Sequence, residues 1–394
     1  MGKKISINAG NALLLNEQSE VLSEYGSIKV NAGNILASRK AYDKLISMGA
    51  SLNSGNMSIL DISGDIVELA GRTVITADMS FDGCYIICDG KLVVEDANGL
   101  LGITGLYAKE LLHPQSVDLS AIKGITALKR TAYPDDAKLH LGDMTLSDDS
   151  HIVLTGGLYW VSGEITALDE EALMKLQSKG TSFQCRKLII YSSLYEKYNN
   201  MLKANSYLFI PDEHAVVSDI TLDAATSVLH GKKLYVLGDL MIPHNRTEHL
   251  NSFSSLIVKG TVTMPVTAAE DFKACGKADD YELYEGVLLS INGKDTIGHS
   301  QLQSALEKGI VYTLDINGIV TFLDDITADD VEAIAAINCN GKIYASGNAR
   351  GVLDSKIRRM NGIITDLEQD KKLEDKADQE DKDSVTINAG TYRL

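Results

Sequence analysis

Short apolar runs recur along most of the chain at a nearly constant spacing. Four successive runs are Leu188–Tyr191, Leu208–Ile210, Leu234–Leu237 and Leu256–Val258. Further runs follow toward the C-terminus, and the interval between runs is about 20–23 residues with occasional insertions. Repeats of this length are typical of solenoids, in which each unit buries its apolar face against the next unit.

The units share an internal pattern. A few apolar-leaning residues precede a glycine, and an alternating apolar and polar run follows it, as in Tyr159–Thr166, Tyr235–Ile242 and Ile257–Met264. Glycine lets the backbone bend without a Cβ clash, and alternation is the pattern of a half-buried strand. We therefore predict that each unit contains two short strands joined at a glycine corner.

Short helices are expected after several of these strand pairs. Segments Thr166–Asp169, Thr267–Glu270 and Thr327–Asp330 resemble capping boxes, in which the threonine hydroxyl accepts an early backbone N–H. Helices of two or three turns are too short to persist alone in water, so they must pack on neighbouring units. The predicted fold is an α/β or β-rich repeat solenoid with glycine corners and short capped helices.

The two ends of the chain depart from the repeat. The predicted regions are an N-terminal cap at 1–56, the repeat solenoid at 57–366, an acidic linker at 367–383 and a strand-like tail at 384–394. Within the cap, segment 39–48 has the pattern of a helix. A cap is expected because a solenoid must cover its exposed end.

The tail repeats a motif of the cap. Ser384–Thr391 echoes Ser6–Asn11, which also resembles Lys29–Asn34, and all three contain Asn-Ala-Gly. A tethered strand of this kind favours strand addition to an exposed sheet edge. The strand could return to its own chain or reach another copy, and the alternative is a frayed terminus with a chance echo.

The units resemble two families of repeat protein. Their length and their strand-then-helix order resemble leucine-rich repeats, but they lack the asparagine or cysteine ladder and the leucine spacing of that family. Gly-Asp corners such as Gly64-Asp65 and Gly238-Asp239 resemble those of β-helical polymer-forming proteins, from which the capped helices depart. Neither resemblance assigns an activity or a residue to this chain.

Composition narrows the possible partners. Hydrophobic residues make up 44% and charged residues 23% of the 394 residues, as in folded proteins, and the formal net charge is −17. Nucleic acid is an unfavourable partner because binding it requires basic patches, and no apolar stretch is long enough for a membrane span. Without an apolar signal core at residues 1–10, we expect a cytoplasmic protein whose partner is another protein or a second copy.

Metal and cofactor motifs are not found. Cys84 and Cys88 lie four residues apart without a second cysteine pair, so we interpret them as core residues. Paired acids such as Asp148-Asp149 and Asp329-Asp330 lack the spacing of a calcium loop and are expected at turns and caps. Because no phosphate loop, dinucleotide fingerprint or nucleophile elbow occurs either, no cofactor, metal or catalytic residue is predicted.

Tyrosine is the unusual aromatic residue, with 16 tyrosines against 6 phenylalanines and one tryptophan. Five of them stand beside apolar strand residues and are predicted to share a register: Tyr85, Tyr159, Tyr235, Tyr312 and Tyr344. Stacked rungs would bring such residues into a column, which could bind a sugar or a peptide. The alternative is a ladder of cross-strand aromatic pairs that only stabilises the fold.

Three functional hypotheses follow. The first is a non-enzymatic scaffold or binding protein built on the repeat. The second is a self-assembling structural protein joined by its terminal strands. The third is a polysaccharide-active β-helix enzyme, which would need close carboxylates in a groove beside Tyr159 or Tyr235.

Overall fold

The computed structural model describes residues 3–15, 22–120, 122, 124–345, 347–366 and 384–394. The chain divides into two compact units, the first from residues 1–189, 198–207 and 379–394 and the second from residues 190–197 and 208–378. Both units are β-rich, with many short parallel strands in several sheets. The predicted acidic linker, 367–383, lies outside the described residues.

The first unit begins with three strands of sheet 1. Its elements are β1 (Lys3–Leu14), β2 (Tyr25–Ser38), α1 (Arg39–Ser47) and β3 (Ser51–Leu60). The strands run parallel and bury an apolar face that includes Ile7 and Val30. The helix predicted at 39–48 is present, and it begins where the Ser38 hydroxyl accepts a hydrogen bond from the Ala41 N–H at 3.1 Å.

Sheet 2 has two short strands that pair end to end with one edge of a long strand. Its strands are β4 (Asp65–Leu69), β5 (Arg72–Ile75), β6 (Cys84–Val94), β7 (Gly105–Pro114) and β8 (Ile125–Tyr133), and a 3-10 helix spans Ala97–Leu100. β4 pairs with the first half of β6 and β5 with the second half. The predicted pair of short strands is therefore found here, and the next rung is a continuous strand.

Sheet 3 follows the same plan. Its region contains β9 (Lys138–His140), β10 (Met144–Thr145), α2 (Ser150–Val153), β11 (Gly157–Ala167), α3 (Glu170–Ser178), β12 (Thr181–Tyr191), α4 (Ser192–Tyr198) and β13 (Leu202–Ile210). The expected cap of α3 at Thr166 is wrong. Asp169 caps this helix by accepting from the Ala172 N–H at 3.1 Å. Thr166 stays in β11 because its neighbours Ile165 and Ala167 are buried as strand residues.

Sheet 4 belongs to the second unit. Its region contains β14 (Ala215–Val217), β15 (Ile220–Thr221), α5 (Thr226–His230), β16 (Lys233–Val236), β17 (Leu240–Met241), β18 (Ser255–Pro265), α6 (Ala269–Cys275) and β19 (Gly276–Tyr284), with 3-10 helices at His244–Ser252 and Val266–Ala268. Aspartates at the corners between the short strands join neighbouring rungs. The Asp219 carboxylate accepts from the Asp239 N–H at 2.8 Å, and the Asp239 carboxylate accepts from the Thr261 N–H at 2.7 Å.

Sheet 5 completes the second unit in the order β20-β21-β22-β23. Its region contains β20 (Val287–Ile297), α7 (His299–Glu307), β21 (Tyr312–Phe322), β22 (Ile334–Ala345), α8 (Gly347–Leu353) and β23 (Ile357–Thr365), with 3-10 helices at Asp330–Ala333 and Asp354–Lys356. Thr327 and Asp330 do exchange capping hydrogen bonds. They open a 3-10 turn rather than the predicted helix, because Ile334 and Ala336 are buried strand residues paired with β21.

The last strand, β24 (Ser384–Arg393), returns to the start of the chain. It pairs in parallel with β1, with Asn388 opposite Asn8, so that sheet 1 has the order β24-β1-β2-β3. Of the predicted fold classes, the β-rich alternative is observed, and the parallel rungs are consistent with a repeat architecture. No helix in the described ranges has the length and apolarity that a membrane span requires.

Candidate functional site

A column of asparagines runs across all four strands of sheet 1. Asn8 Nδ2 donates to Asn388 Oδ1 at 3.0 Å, and Asn31 Nδ2 donates to Asn8 Oδ1 at 2.8 Å. Asn53 Nδ2 donates in turn to Asn31 Oδ1 at 3.0 Å. In all three hydrogen bonds the donor lies on the strand nearer β3 and the acceptor on the strand nearer β24, which gives the column a direction.

A second asparagine column lies three residues further along three of the same strands. Asn34 Nδ2 donates to Asn11 Oδ1 at 2.9 Å, and Asn56 Nδ2 donates to Asn34 Oδ1 at 3.1 Å. On β24 the corresponding residue is Thr391, which is opposite Asn11. Both columns point in the same direction across the sheet.

Glycines between the two columns let the strands approach closely. A Cβ on Gly10 would lie 2.8 Å from the Gly390 carbonyl oxygen, and a Cβ on Gly33 would lie 2.9 Å from the Gly10 oxygen. A Cβ on Gly55 would lie 3.2 Å from the Gly33 oxygen, whereas a Cβ on Gly390 would have open space within 4 Å. A Cβ within 3 Å of a backbone oxygen would force the strands to shift, so the stack requires glycine at Gly10 and Gly33.

The local sequence explains why these amides face outward. Ile7 and Ala12 on either side of the motif are fully buried, and the Asn-Ala-Gly-Asn segment between them is exposed or half-buried. The exposed segments of the four strands border a shallow groove of 910 Å³. The surface is uncharged and rich in amide donors and acceptors, which suits hydrogen bonding to another polypeptide backbone or amide column.

A smaller cleft of 270 Å³ separates sheets 1 and 2. Leu36 and Tyr107 belong to its lining and to a buried cluster between the two sheets. Its polar lining includes Asn34 and an ion pair in which Lys109 Nζ lies 2.6 Å from Asp89 Oδ1. This cleft extends the polar surface of the second asparagine column.

The five tyrosines predicted to form a column lie in four different sheets. Tyr85 is in β6, Tyr159 in β11, Tyr235 in β16, Tyr312 in β21 and Tyr344 in β22. The last two share sheet 5, but Tyr312 is opposite Ile334 whereas Tyr344 is opposite Thr321. The expected common register is therefore wrong, because one tyrosine begins its strand and the other nearly ends it.

The separate environments of the tyrosines differ as well. Tyr85 and Tyr235 are buried, and burial raises the pKa of both phenols. The Tyr159 ring stacks on Phe183 with centroids 5.8 Å apart, and Lys138 Nζ lies 5.3 Å from its centroid. Packing is what the structure shows for these side chains, and their roles in binding or cleaving a glycan stay predictions.

Three of the five cysteines lie in the core. Cys88, Cys185 and Cys339 are buried, and burial raises the pKa of Cys185 to about 11, which keeps its thiol protonated and unreactive. In the part of the chain that the structure describes, no three metal-ligating side chains converge.

One buried carboxylate links two successive turns of sheet 5. Asp330 is fully buried and accepts hydrogen bonds from His299 Nδ1 at 2.8 Å, from Gln303 Nε2 at 2.6 Å and from the Thr327 N–H at 2.7 Å. Burial alone would raise the pKa of Asp330, but these hydrogen bonds outweigh it and hold that pKa well below its usual range. The hydrogen bond to Asp330 also raises the pKa of His299.

No protein-family model matches this chain, and searches among curated proteins and solved structures find no match. Inference about function therefore starts from the residues of sheet 1. The expectation that the repeat units lack an asparagine ladder is wrong for sheet 5, where Asn361 Nδ2 donates to Asn340 Oδ1 at 2.9 Å. The columns of sheet 1 lie in the predicted cap and tail. The signal that could have revealed them is the Asn-Ala-Gly echo at Asn8, Asn31 and Asn388, which becomes a column only in register.

Proposed function

We propose that this chain is a non-enzymatic scaffold or binding protein built on a repeat solenoid, and that it binds extended strands at the edge of sheet 1. The observation that carries the proposal is β24, a strand from the far end of the chain that is held in register on the edge of β1. Strand addition is a general mode of recognition, in which the backbone supplies affinity and alternate side chains supply specificity.

Both parts of that mode are present where β24 binds. The Leu394 N–H donates to the Leu13 carbonyl and the Leu15 N–H donates to the Leu394 carbonyl, each at 2.8 Å. The side chains of Ile387 and Tyr392 pack against the apolar core of sheet 1. Burial raises the pKa of Tyr392, consistent with a ring held against apolar neighbours. The edge of β1 thus recognises an Asn-Ala-Gly strand through backbone, amide and apolar contacts.

The regular spacing of the stacked residues supports the scaffold part of the proposal. Asparagines that share a hydrogen bond across β1, β2 and β3 are 22 or 23 residues apart in sequence. Corner aspartates bond consecutive rungs of sheet 4 in the same way, 20 or 22 residues apart. Units that contact mainly their neighbours in this manner define a solenoid and offer a rigid, extended surface.

The test uses β24 as a separate peptide. A fluorescent peptide with the sequence of residues 384–394 is titrated into a chain that ends at residue 383, and binding is followed by fluorescence anisotropy. We expect saturable binding, because the peptide restores the contacts that β24 makes in the intact chain. A peptide with Asn388→Ala should bind about 3- to 10-fold more weakly, since it removes the acceptor of the Asn8 amide.

Two glycines give a matched control. Gly10→Ala in the shortened chain places a Cβ near only the Gly390 carbonyl, so it should leave folding unchanged and weaken peptide binding by about tenfold. Gly390→Ala in the peptide points into open space and should bind normally. Circular dichroism of the shortened chain confirms its fold before the titration. Failure of the folded chain to bind the peptide, or equal effects of the two alanines, would refute strand binding at β1.

A further inference from the structure

Sheet 1 has two outer edges that no other described strand occupies. The order β24-β1-β2-β3 leaves β24 at one edge and β3 at the other. The β3 edge has exposed residues at Asn53, Gly55 and Met57, and the β24 edge has exposed residues at Asn388 and Gly390. An open parallel edge presents backbone N–H and C=O groups that can pair with another strand.

The asparagine column makes the two edges complementary. Because the donor of each hydrogen bond lies on the strand nearer β3, the column ends with the Asn388 Nδ2 group at the β24 edge and with Asn53 Oδ1 at the β3 edge. Among the described residues these two groups have no amide partner. A donor therefore ends one edge and an acceptor ends the other, so the β24 edge of one molecule fits the β3 edge of a second molecule.

The glycine stack has the same direction. Gly10, Gly33 and Gly55 each face the carbonyl oxygen of the glycine on the strand on their β24 side, whereas Gly390 faces open space. At the opposite edge, Gly55 is exposed. A second molecule whose β3 lay beside β24 would place its Gly55 carbonyl against Gly390 and would continue the stack without any new clash.

The apolar side chains agree with that register. The column formed by Ile387, Ile7, Val30 and Leu52 crosses all four strands, one residue before the asparagines. Leu52 and Ile387 are its half-buried ends. With Asn388 opposite Asn53, Ile387 of one molecule would lie opposite Leu52 of the next, and both would be further buried.

We infer that copies of this chain associate head to tail, with β24 of one copy pairing in parallel with β3 of the next and Asn388 opposite Asn53. The inference rests on the proposed strand-binding function and names a second copy of the chain as its partner. Since the two surfaces differ, the contact is heterologous and can continue from copy to copy. A net charge of −17 on each copy opposes association, so screening by salt should favour it.

The test measures the mass of the full-length chain by light scattering over a wide range of protein concentration, at low and at moderate salt. The mass should rise with concentration and with salt. Gly390→Ala should shift this rise to about tenfold higher concentration, because its Cβ meets the Gly55 carbonyl of the next copy. Gly351→Ala is the matched control, since its Cβ also has open space, and it should behave like the parent chain.

Cysteine cross-linking checks the register. Within one chain, Asn53 and Asn388 are three strand spacings apart, roughly 14 Å, which is beyond the reach of a disulfide. In a chain whose two half-exposed cysteines, Cys84 and Cys275, are replaced by serine, Asn53→Cys with Asn388→Cys should therefore form a ladder of covalent oligomers on oxidation. In the same background, Asn53→Cys alone should not extend beyond a dimer.

The outcomes separate the two proposals. A constant mass at all concentrations, or growth that Gly390→Ala leaves unchanged, overturns head-to-tail pairing through these edges. If the 384–394 peptide still binds the shortened chain in a Gly10-dependent manner, strand binding survives that result and only the assembly is rejected. If the peptide also fails to bind, both proposals are rejected.

Discussion

Sheets 1 and 5 both stack asparagine and glycine in columns, but the asparagine hydrogen bonds and the glycine contacts differ in length between the two sheets. In sheet 1 the amides of the first column are 2.8–3.0 Å apart, and a Cβ on a stacked glycine would lie 2.8–3.2 Å from the next carbonyl. In sheet 5 the asparagine hydrogen bonds are 2.9 and 3.5 Å long, and a Cβ on Gly341 would fall far inside contact with the Gly318 oxygen. All three hydrogen bonds of the first amide column are short in sheet 1, whereas the glycine backbones approach one another more closely in sheet 5.

The backbone conformation of the glycines explains this difference. Gly318 and Gly341 have φ values of 148° and 153°, which residues with a side chain rarely adopt. Gly10 and Gly33 are not among the residues with positive φ. Gly318 and Gly341 are thus required by conformation and by proximity, whereas Gly10 and Gly33 are required by proximity alone.

The largest expected effect tests that distinction. Gly341→Ala should destabilise the second unit by about 3 kcal/mol or more, because strain in φ adds to a backbone clash. Gly33→Ala should cost the first unit less, about 1–3 kcal/mol, because its Cβ meets the Gly10 carbonyl oxygen at 2.9 Å but adds no strain in φ. Both free energies of unfolding can be measured by hydrogen exchange at increasing denaturant concentration. The intact chain is digested after exchange, so that fragments from each unit report on that unit. If both substitutions lowered the free energy of unfolding equally, backbone conformation would not distinguish the glycines of the two sheets.

The second comparison concerns how the stability of each sheet depends on pH. In sheet 1, the helix between β2 and β3 begins at the Ser38 hydroxyl, which does not titrate. In sheet 5, Asp330 joins α7 to the turn before β22 through His299. The pKa of His299 is raised above 6.5, so its contribution to stability is complete below that pH and is lost as the pH rises through the higher folded value.

Asp330 acts in the opposite direction. Its folded pKa is lowered, so its stabilising effect is present above the unfolded value and is lost as the pH falls through the folded one. The second unit should therefore be most stable in mildly acidic solution and should weaken toward alkaline pH. Asp330→Asn should cost about 2 kcal/mol and flatten the alkaline limb, because it removes the charge that favours protonated His299.

The prediction is checked by measuring the denaturation midpoint of each unit at several pH values. Hydrogen exchange gives a separate midpoint for each unit. His299→Gln is the control, because it keeps a hydrogen-bond donor near Asp330 but has no titrating ring. An alkaline slope that persists in both variants would assign the pH dependence to another group. If fragments from sheet 1 showed the same loss of stability toward alkaline pH, the two sheets would not differ in their pH dependence.

Local sequence patterns predicted short β-strands, glycine corners and the helix at α1, because these depend on neighbouring residues. Hydrophobic alternation around Gly64 and Gly238 is visible without knowing which strands pair. The capping boxes were less reliable. Helix α3 does form after Thr166–Asp169, but Asp169 and not Thr166 caps it, because Ile165 and Ala167 are buried in β11. Burial of Ile334 in β22 leaves only a 3-10 turn after Thr327–Asp330. In these places strand packing outweighs a local capping signal.

The candidate site depends on register, which single strands do not reveal. The Asn-Ala-Gly echo predicted that Ser384–Thr391 is a strand, but not that Asn388 stacks on Asn8. The common register predicted for the tyrosines was wrong because it also depends on which residues lie opposite one another. Tyr312 and Tyr344 share a local pattern of apolar neighbours, yet they lie at opposite ends of their strands. A column forms only when equivalent residues lie directly opposite one another on paired strands. The asparagines of sheet 1 meet this condition, whereas Tyr312 and Tyr344 do not.

The smallest expected effect concerns the asparagines themselves. Asn31 donates to Asn8 and accepts from Asn53, both at 3.0 Å or less, so Asn31→Ala should cost about 1 kcal/mol by removing two hydrogen bonds. Asn340 also has two partners, but its bond to Asn317 is 3.5 Å long, so Asn340→Ala should cost about half as much. Asn53→Ala removes a single bond from the end of the column and serves as the internal control. If Asn340→Ala proved as costly as Asn31→Ala, amide stacking would matter equally in both sheets, and the glycine contacts alone would distinguish them.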